Sequence, residues 1–165
     1  LGWSQVVVEG GRTFGTLPYQ LLKIHRANQT YAYQLESYNL MNFMEFVSDK
    51  YASINLTHSF GGFFFNRIPL LRRLKWREMV SFKGLWGGLD EANRPTAENG
   101  LIRFPTDANG TPLTYTLDKE PYMEASVGVG NIFKVLRIDY VRRLNYLDLP
   151  NAPKWGIRAR FKLEF

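Results

Sequence analysis

The C-terminal stretch of the chain, IRARFKLEF at residues 157–165, alternates between apolar and charged side chains at every position. A period of two is that of an extended strand, whose successive side chains point to opposite faces. One face carries Ile157, Ala159, Phe161, Leu163 and Phe165. The other face carries Arg158, Arg160, Lys162 and Glu164. The sequence therefore predicts a terminal strand with one apolar and one ionic face.

Similar alternation recurs upstream and predicts an all-β, antiparallel fold. The six predicted strands lie near residues 2–14, 51–65, 75–88, 121–132, 136–147 and 155–165. They are longer than the ~5–6 residues typical of strands in soluble sheets and long enough to cross a membrane at a tilt. We therefore expect these strands to be a section of a transmembrane β-barrel.

The predicted connections differ in length between the two ends of the sheet. Residues 66–74 and 132–135 form short links, whereas residues 15–50 and 89–120 form long loops. We expect the first long loop to fold inward or to lie on the surface, and the second to be a surface loop. Short turns at one end and long loops at the other are typical of outer-membrane barrels.

The composition excludes several classes of protein. The chain has 165 residues, no cysteine and a formal charge of +6. A disulfide scaffold and a cysteine nucleophile are therefore excluded, and no apolar run approaches the ~20 residues that a transmembrane helix needs. Aromatic residues make up 15% of the chain. Five of them near predicted strand ends are expected at the membrane interface, namely Trp76, Trp86, Tyr122, Tyr146 and Trp155.

The ionic faces of the predicted strands carry a set of charges that we expect to line the barrel lumen. These residues are Glu124, Arg137, Asp139, Arg143, Arg158, Arg160 and Lys162. Pairing among them would favour a plugged interior over an open pore. Nucleic-acid binding is disfavoured, because the aromatic rings and most cations fall on opposite faces. The two histidines, His25 and His58, have no triad-like setting, so we expect no catalytic residue, no metal and no cofactor.

Alternation alone is compatible with a second fold. A soluble sandwich or a lipocalin-like barrel also alternates, but its apolar face points inward and its charged face meets water. Strand length, ring placement and loop asymmetry favour the membrane barrel. The faces of such a barrel are inverted, with apolar side chains outside and polar side chains within.

Several stretches resemble a known superfamily. Residues 125–140, ASVGVGNIFKVLRIDY, resemble the last strands of the bacterial surface-antigen superfamily, which includes the central subunit of the BAM complex. Residues 10–17 and 46–52 resemble the strand, inward-folding loop and next strand of the same superfamily. Residues 16–19, 46–53 and 68–78 resemble an uncharacterised Bacteroidota family whose members carry a carboxypeptidase-regulatory-like domain ahead of the barrel. The terminal Phe161, Leu163 and Phe165 resemble the C-terminal signature of outer-membrane barrels.

The resemblance implies the C-terminal part of a barrel of about 16 strands, with the missing strands upstream or in another chain. It implies location in the outer membrane of a Gram-negative bacterium, beside lipids, lipopolysaccharide and other envelope proteins in a complex. The implied function is non-enzymatic: envelope biogenesis, outer-membrane protein assembly or polypeptide transport. Alternatives are a scaffold for surface lipoproteins or nutrient-uptake partners, and a passive porin-like channel.

Overall fold

Six long strands pair in one antiparallel sheet in the computed structural model of the chain, which describes residues 2–161. The strands are β1 (Trp3–Arg12), β4 (Lys50–Ser59), β5 (Arg77–Gly88), β6 (Tyr122–Ile132), β7 (Leu136–Arg143) and β8 (Trp155–Phe161), paired in that order. Two short strands, β2 (Lys23–Ile24) and β3 (Val47–Ser48), form a separate pair. The predicted all-β, antiparallel class is confirmed, and the sheet is not closed into a barrel.

One side of the sheet, which we call the open face, carries most of the apolar residues of β4 to β8. Val80 of β5 lies opposite Val127 of β6, which in turn lies opposite Tyr140 of β7. Tyr140 lies opposite Ile157 of β8, which completes a row across four strands. Val127, Tyr140 and Ile157 are exposed. The apolar side chains of this row are therefore not buried in a core.

The other side, which we call the covered face, is packed against residues 13–49, which we call the covering segment. This segment leaves β1, folds back over the sheet and contains β2 and β3. A small apolar cluster joins it to the sheet through Tyr38, Met41 and Phe46 on one side and Leu85 and Tyr122 on the other. Apart from such clusters, the covered face is polar, because β4 to β7 present charged and hydroxyl side chains to the segment.

The connections divide between the two ends of the sheet. Residues 60–76 and 133–135 lie at what we call the turn end, and residues 13–49, 89–121 and 144–154 start and finish at the loop end. Residues 60–76 contain the one-turn helix α1 (Pro69–Leu74) and a 3-10 turn at Phe65–Arg67. No helix within residues 2–161 is long and apolar enough to span a membrane.

Two strands end earlier than the alternation predicts. β4 ends at Ser59, because Gly61 and Gly62 adopt φ values of 64° and 86°, which a strand does not contain. β7 ends at Arg143, and Tyr146 three residues later has a φ of 56°. In both places the apolar residues that continue the pattern belong to the following connection.

The long loop at residues 89–120 is exposed along much of its length, and residues 114–117 turn back against the covering segment. Tyr115 pairs with the covering segment, since its N–H donates to the carbonyl oxygen of Glu45 at 2.7 Å and its own carbonyl accepts from the N–H of Val47 at 3.1 Å. Thr114 and Leu117, in the same part of the loop, are buried. The part of the loop around Tyr115 therefore closes the loop end of the covered face, while residues 96–100 and 108–110 are exposed.

Candidate functional site

A row of charged side chains crosses the covered face in direct cross-strand register. Lys83 of β5 lies opposite Glu124 of β6, and Glu124 lies opposite Arg143 of β7. All three side chains are buried. Directly opposite side chains on one sheet face are close enough to interact, so alternating signs across neighbouring strands are favourable. The pairing of the strands thus builds a positive–negative–positive row under the covering segment.

Lys83 binds the backbone of the covering segment. Its ammonium group donates to the carbonyl oxygens of Gln34 at 2.7 Å and Ser37 at 2.5 Å. The carboxylate of Glu124 lies 3.8 Å away. An ammonium group has three protons to donate and is costly to bury without partners. These contacts satisfy the Lys83 ammonium and hold residues 34–37 against β5.

Glu124, whose charge is opposite to that of Lys83, binds the same segment. One carboxylate oxygen accepts the N–H of Asn39 at 2.8 Å, and the other accepts the N–H of Leu40 at 3.1 Å. The hydroxyl of Tyr122 also donates to this carboxylate, at 3.1 Å. Hydrogen bonds from neutral donors to an ionised acceptor are among the stronger ones in proteins. Glu124 therefore fixes the backbone at residues 39–40.

Arg143 and Glu45 form a fully buried ion pair between the sheet and the covering segment. The guanidinium donates to the two carboxylate oxygens of Glu45 at 2.7 and 3.1 Å, in the bidentate geometry that arginine favours. The two side chains are only 0% and 2% exposed. The guanidinium also lies over the ring of Tyr122, 4.9 Å from its centroid. Sequence alternation identified Arg143 but not its partner.

Arg137 and Asp139 form a second buried pair within β7. Both guanidinium–carboxylate distances are 2.6 Å, and Arg137 also donates to the hydroxyl of Ser81 at 3.3 Å. Gly128 lies opposite Asp139, and a Cβ atom at this glycine would meet the carboxylate oxygen at 2.3 Å. The ring of Tyr33 covers Arg137 at 4.5 Å. The absence of a side chain at Gly128 makes room for this pair.

β8 contributes the last contacts to the covering segment. Arg158 donates to the carbonyl oxygen of Asn39 at 2.8 Å. At the outer edge of β8, the N–H of Ala159 donates to the carbonyl of Tyr31 at 3.0 Å, and the N–H of Tyr33 donates to the carbonyl of Ala159 at 2.7 Å. Arg160 is partly buried on the same face. Lys162 lies outside the described residues.

The covering segment also has internal hydrogen bonds that fix its shape. The side-chain oxygen of Asn39 accepts from the Asn28 amide at 2.8 Å and from the N–H of Gln34 at 2.9 Å. His25 is buried near Ser48, with its Nε2 3.0 Å from the serine hydroxyl oxygen. Burial, together with the nearby charge of Lys23, lowers the pKa of His25 to about 4. The histidine is therefore neutral at pH 7.

The five aromatic residues expected at the membrane interface occupy different places. Trp86 and Trp155 are exposed on the open face, where Trp155 stacks on Tyr140, and Trp76 is partly buried next to β5. Tyr122 departs from the expectation, because it shares the parity of Glu124 and is fully buried on the covered face. Tyr146 is partly buried, and its ring packs on Phe46 at 4.9 Å.

The residues of the C-terminal signature are only partly described. Phe161 is 78% exposed on the open face. Leu163 and Phe165 lie outside the described residues. The exposed phenylalanine and the partly buried Arg160 beside it occupy the faces that alternation assigns to them.

The charged side chains of the covered face hold the backbone of the covering segment in place. Lys83, Arg143 and Arg158 donate to backbone carbonyls of the covering segment, while Glu124 accepts its backbone N–H groups. Within residues 2–161 there is no cluster of three or more His, Asp or Glu that could hold a metal ion. The side chains that alternation identified are thus brought together around a segment of the chain itself.

Comparison with known proteins gives a match to a family model. Residues 18–91 match the sequence model of the C-terminal domain of a family of unknown function (DUF5686). The match covers most of the covering segment, all of β4 and all of β5. Neither the curated proteins nor the solved structures give a significant match.

Proposed function

We propose that the chain is a section of the wall of an outer-membrane β-barrel, with its open face toward lipid and its covered face toward the lumen. The observation that carries this proposal is the inverted burial of the sheet. On β5 to β8, polar and charged side chains such as Lys83, Glu124 and Arg143 are buried, while Val127 and Ile157 are exposed. A soluble sandwich buries the opposite set.

The dimensions of β5 support a membrane-spanning role. Trp76 precedes β5 and Trp86 lies two residues before its end, and the two are ten residues apart on the same parity. Ten residues of strand extend about 33 Å, or about 25 Å across a bilayer at the usual tilt of barrel strands. That height matches the apolar band of outer-membrane barrels, which aromatic girdles flank. Strands of a soluble sheet have no requirement for this spacing.

The covering segment gives the proposed barrel a plugged interior. Its backbone is held by Lys83, Glu124, Arg143 and Arg158, which come from four consecutive strands. A segment that is held this firmly against the wall reduces the space for free diffusion through the lumen. The arrangement therefore favours a non-enzymatic role in envelope biogenesis, outer-membrane protein assembly or polypeptide transport over a passive porin-like channel.

Conductance distinguishes the plugged barrel from the open channel. The protein is purified from outer membranes and inserted in a planar bilayer, where the wild type should conduct little current. Glu45→Gln should increase the conductance, because it weakens the contact that holds the covering segment against Arg143. A large wild-type conductance that Glu45→Gln leaves unchanged would support the porin alternative. Glu36→Gln, which alters an exposed ion pair with Arg26 in the same segment, is the matched control.

Co-purification tests the role in assembly. In mild detergent, the protein from native membranes should bring subunits of an assembly or transport machinery, identified by mass spectrometry. Recovery of a surface lipoprotein that is lost when the loop at residues 89–120 is shortened would support the scaffold alternative. Recovery of the barrel alone would contradict both roles.

A further inference from the structure

The connection between β4 and β5, residues 60–76, has an exposed apolar surface that nothing in the described chain covers. Leu70 is 73% exposed, and Phe64, Ile68 and Leu74 are also exposed. They lie on and around the short helix α1, which begins with Pro69 and ends where Lys75 adopts a φ of 54°. Exposed apolar side chains that are contiguous in the chain indicate a contact surface.

The same connection is strongly cationic. Residues 60–76 contain Arg67, Arg72, Arg73 and Lys75 and no aspartate or glutamate. All four cations are exposed, and no salt bridge within the described residues engages them. The nearest acidic residue in the sequence, Glu78, accepts the backbone N–H of Phe65. The surface therefore offers positive charge without an intramolecular counter-charge.

The connection lies at one end of the strands that form the open face. It joins the turn-end termini of β4 and β5, and Trp76 precedes the first residue of β5. In the barrel proposed above, this end of the strands lies at the level of the lipid headgroups. An amphipathic segment at that level places apolar side chains toward acyl chains and cations among phosphates.

We infer that residues 60–76 bind the phosphate groups of anionic phospholipids in the leaflet at the turn end, an inference that rests on the proposed membrane barrel. Arg72 and Arg73 are the main headgroup ligands, since guanidinium groups bind phosphate oxygens in a bidentate manner. Leu70 and Leu74 enter the acyl boundary beside them. A soluble acidic protein could pair with the cations, but it would not account for the exposed apolar side chains that lie beside them at the level of the lipid.

The test compares lipid retention. The wild-type protein in neutral detergent is incubated with equal amounts of phosphatidylglycerol and phosphatidylcholine, and bound lipids are counted by native mass spectrometry. We expect preferential retention of phosphatidylglycerol, and a loss of that preference of about tenfold in the double variant Arg72→Gln/Arg73→Gln. High salt should weaken the preference in the wild type.

A control separates local binding from net charge. The double variant Arg103→Gln/Lys119→Gln removes the same charge from exposed positions of the loop-end connection and should keep the preference. Equal preference in the wild type and in Arg72→Gln/Arg73→Gln would overturn the inference. An acidic protein that is retained through Arg72 in place of lipid would also overturn it.

Failure of the barrel proposal gives a different result. If the protein stays in the aqueous phase without detergent, the proposed function fails. If it inserts in pure phosphatidylcholine membranes but shows no preference for phosphatidylglycerol, the headgroup inference alone fails.

Discussion

At the scale of single residues, the buried charges explain why the covered face is polar. Arg143 and Glu45 are both almost fully buried and pair in bidentate geometry. A buried ion pair contributes little net stability compared with apolar residues, but removal of one partner leaves a buried charge without compensation. The pair therefore makes the position of the covering segment sensitive to either residue.

The first prediction concerns this pair. Glu45→Leu and Arg143→Met should each destabilise the folded protein by about 3–5 kcal/mol, and the double variant Glu45→Leu/Arg143→Met should recover much of the loss. Urea unfolding in lipid vesicles measures both. Glu36→Gln, in the exposed pair with Arg26, should change stability by less than about 1 kcal/mol. Additive losses in the double variant would contradict the coupling.

The second prediction concerns His25. Its folded pKa of about 4 lies below the ordinary value of 6.5, so the neutral form is favoured in the folded state. The resulting stability is fully present above pH 6.5 and is lost as the pH falls toward 4, with a total of about 3 kcal/mol. The free energy of unfolding of His25→Gln, measured between pH 7 and pH 4, should fall less steeply than that of the wild type. Parallel curves would contradict this assignment.

At the scale of strands and segments, the alternation of apolar and polar residues predicted the strands, which depend on a local period. It did not predict the position of the covering segment, which depends on contacts between residues that are distant in the sequence. The strands of the sheet alternate, because each has one apolar and one polar face. The covering segment has no such period; its place depends on backbone groups such as the carbonyl of Ser37, which leaves no sequence signal. Glu45 does leave one, as the single acidic residue within the apolar stretch FMEFV at residues 43–47.

The position of Tyr122 was likewise only partly predicted from the sequence. Because it lies near a strand end, we expected it at the membrane interface. The face of the sheet on which its side chain lies is set by parity, which it shares with Glu124. The expected lumen charges that lie within residues 2–161 occupy one face because they share that parity. The first long loop was expected to fold inward or to lie on the surface, and in the structure it forms hydrogen bonds with β8 on the covered face.

The third prediction tests the packing between β6 and β7. Gly128→Ala places a Cβ atom 2.3 Å from the Asp139 carboxylate and 2.9 Å from the backbone oxygen of Ile138, so the Arg137–Asp139 pair must shift. We expect a loss of about 2 kcal/mol in unfolding free energy. Gly10→Ala in β1, where the nearest atom is 3.4 Å away, is the control and should be close to neutral. Similar effects of the two variants would contradict the close approach.

At the scale of the whole molecule, the account depends on which side of the sheet meets lipid. The sheet itself is confirmed as antiparallel and is open at β1 and β8 within the described residues. Burial on the covered face comes from the covering segment, while no described residues cover the open face at Val127, Tyr140 and Ile157. In the proposed barrel, a membrane would supply the partner that these apolar side chains lack in water.

The most direct measurement is a spin-label accessibility scan, which the absence of cysteine makes simple. Labels at Val127→Cys, Ile138→Cys and Ile157→Cys in vesicles should collide with lipid-soluble oxygen and be protected from a water-soluble nickel chelate. A label at Ser126→Cys should be protected from both, and one at the exposed loop position Glu98→Cys should be reached by nickel. Nickel access at residues 127, 138 and 157 equal to that at residue 98 would contradict the account.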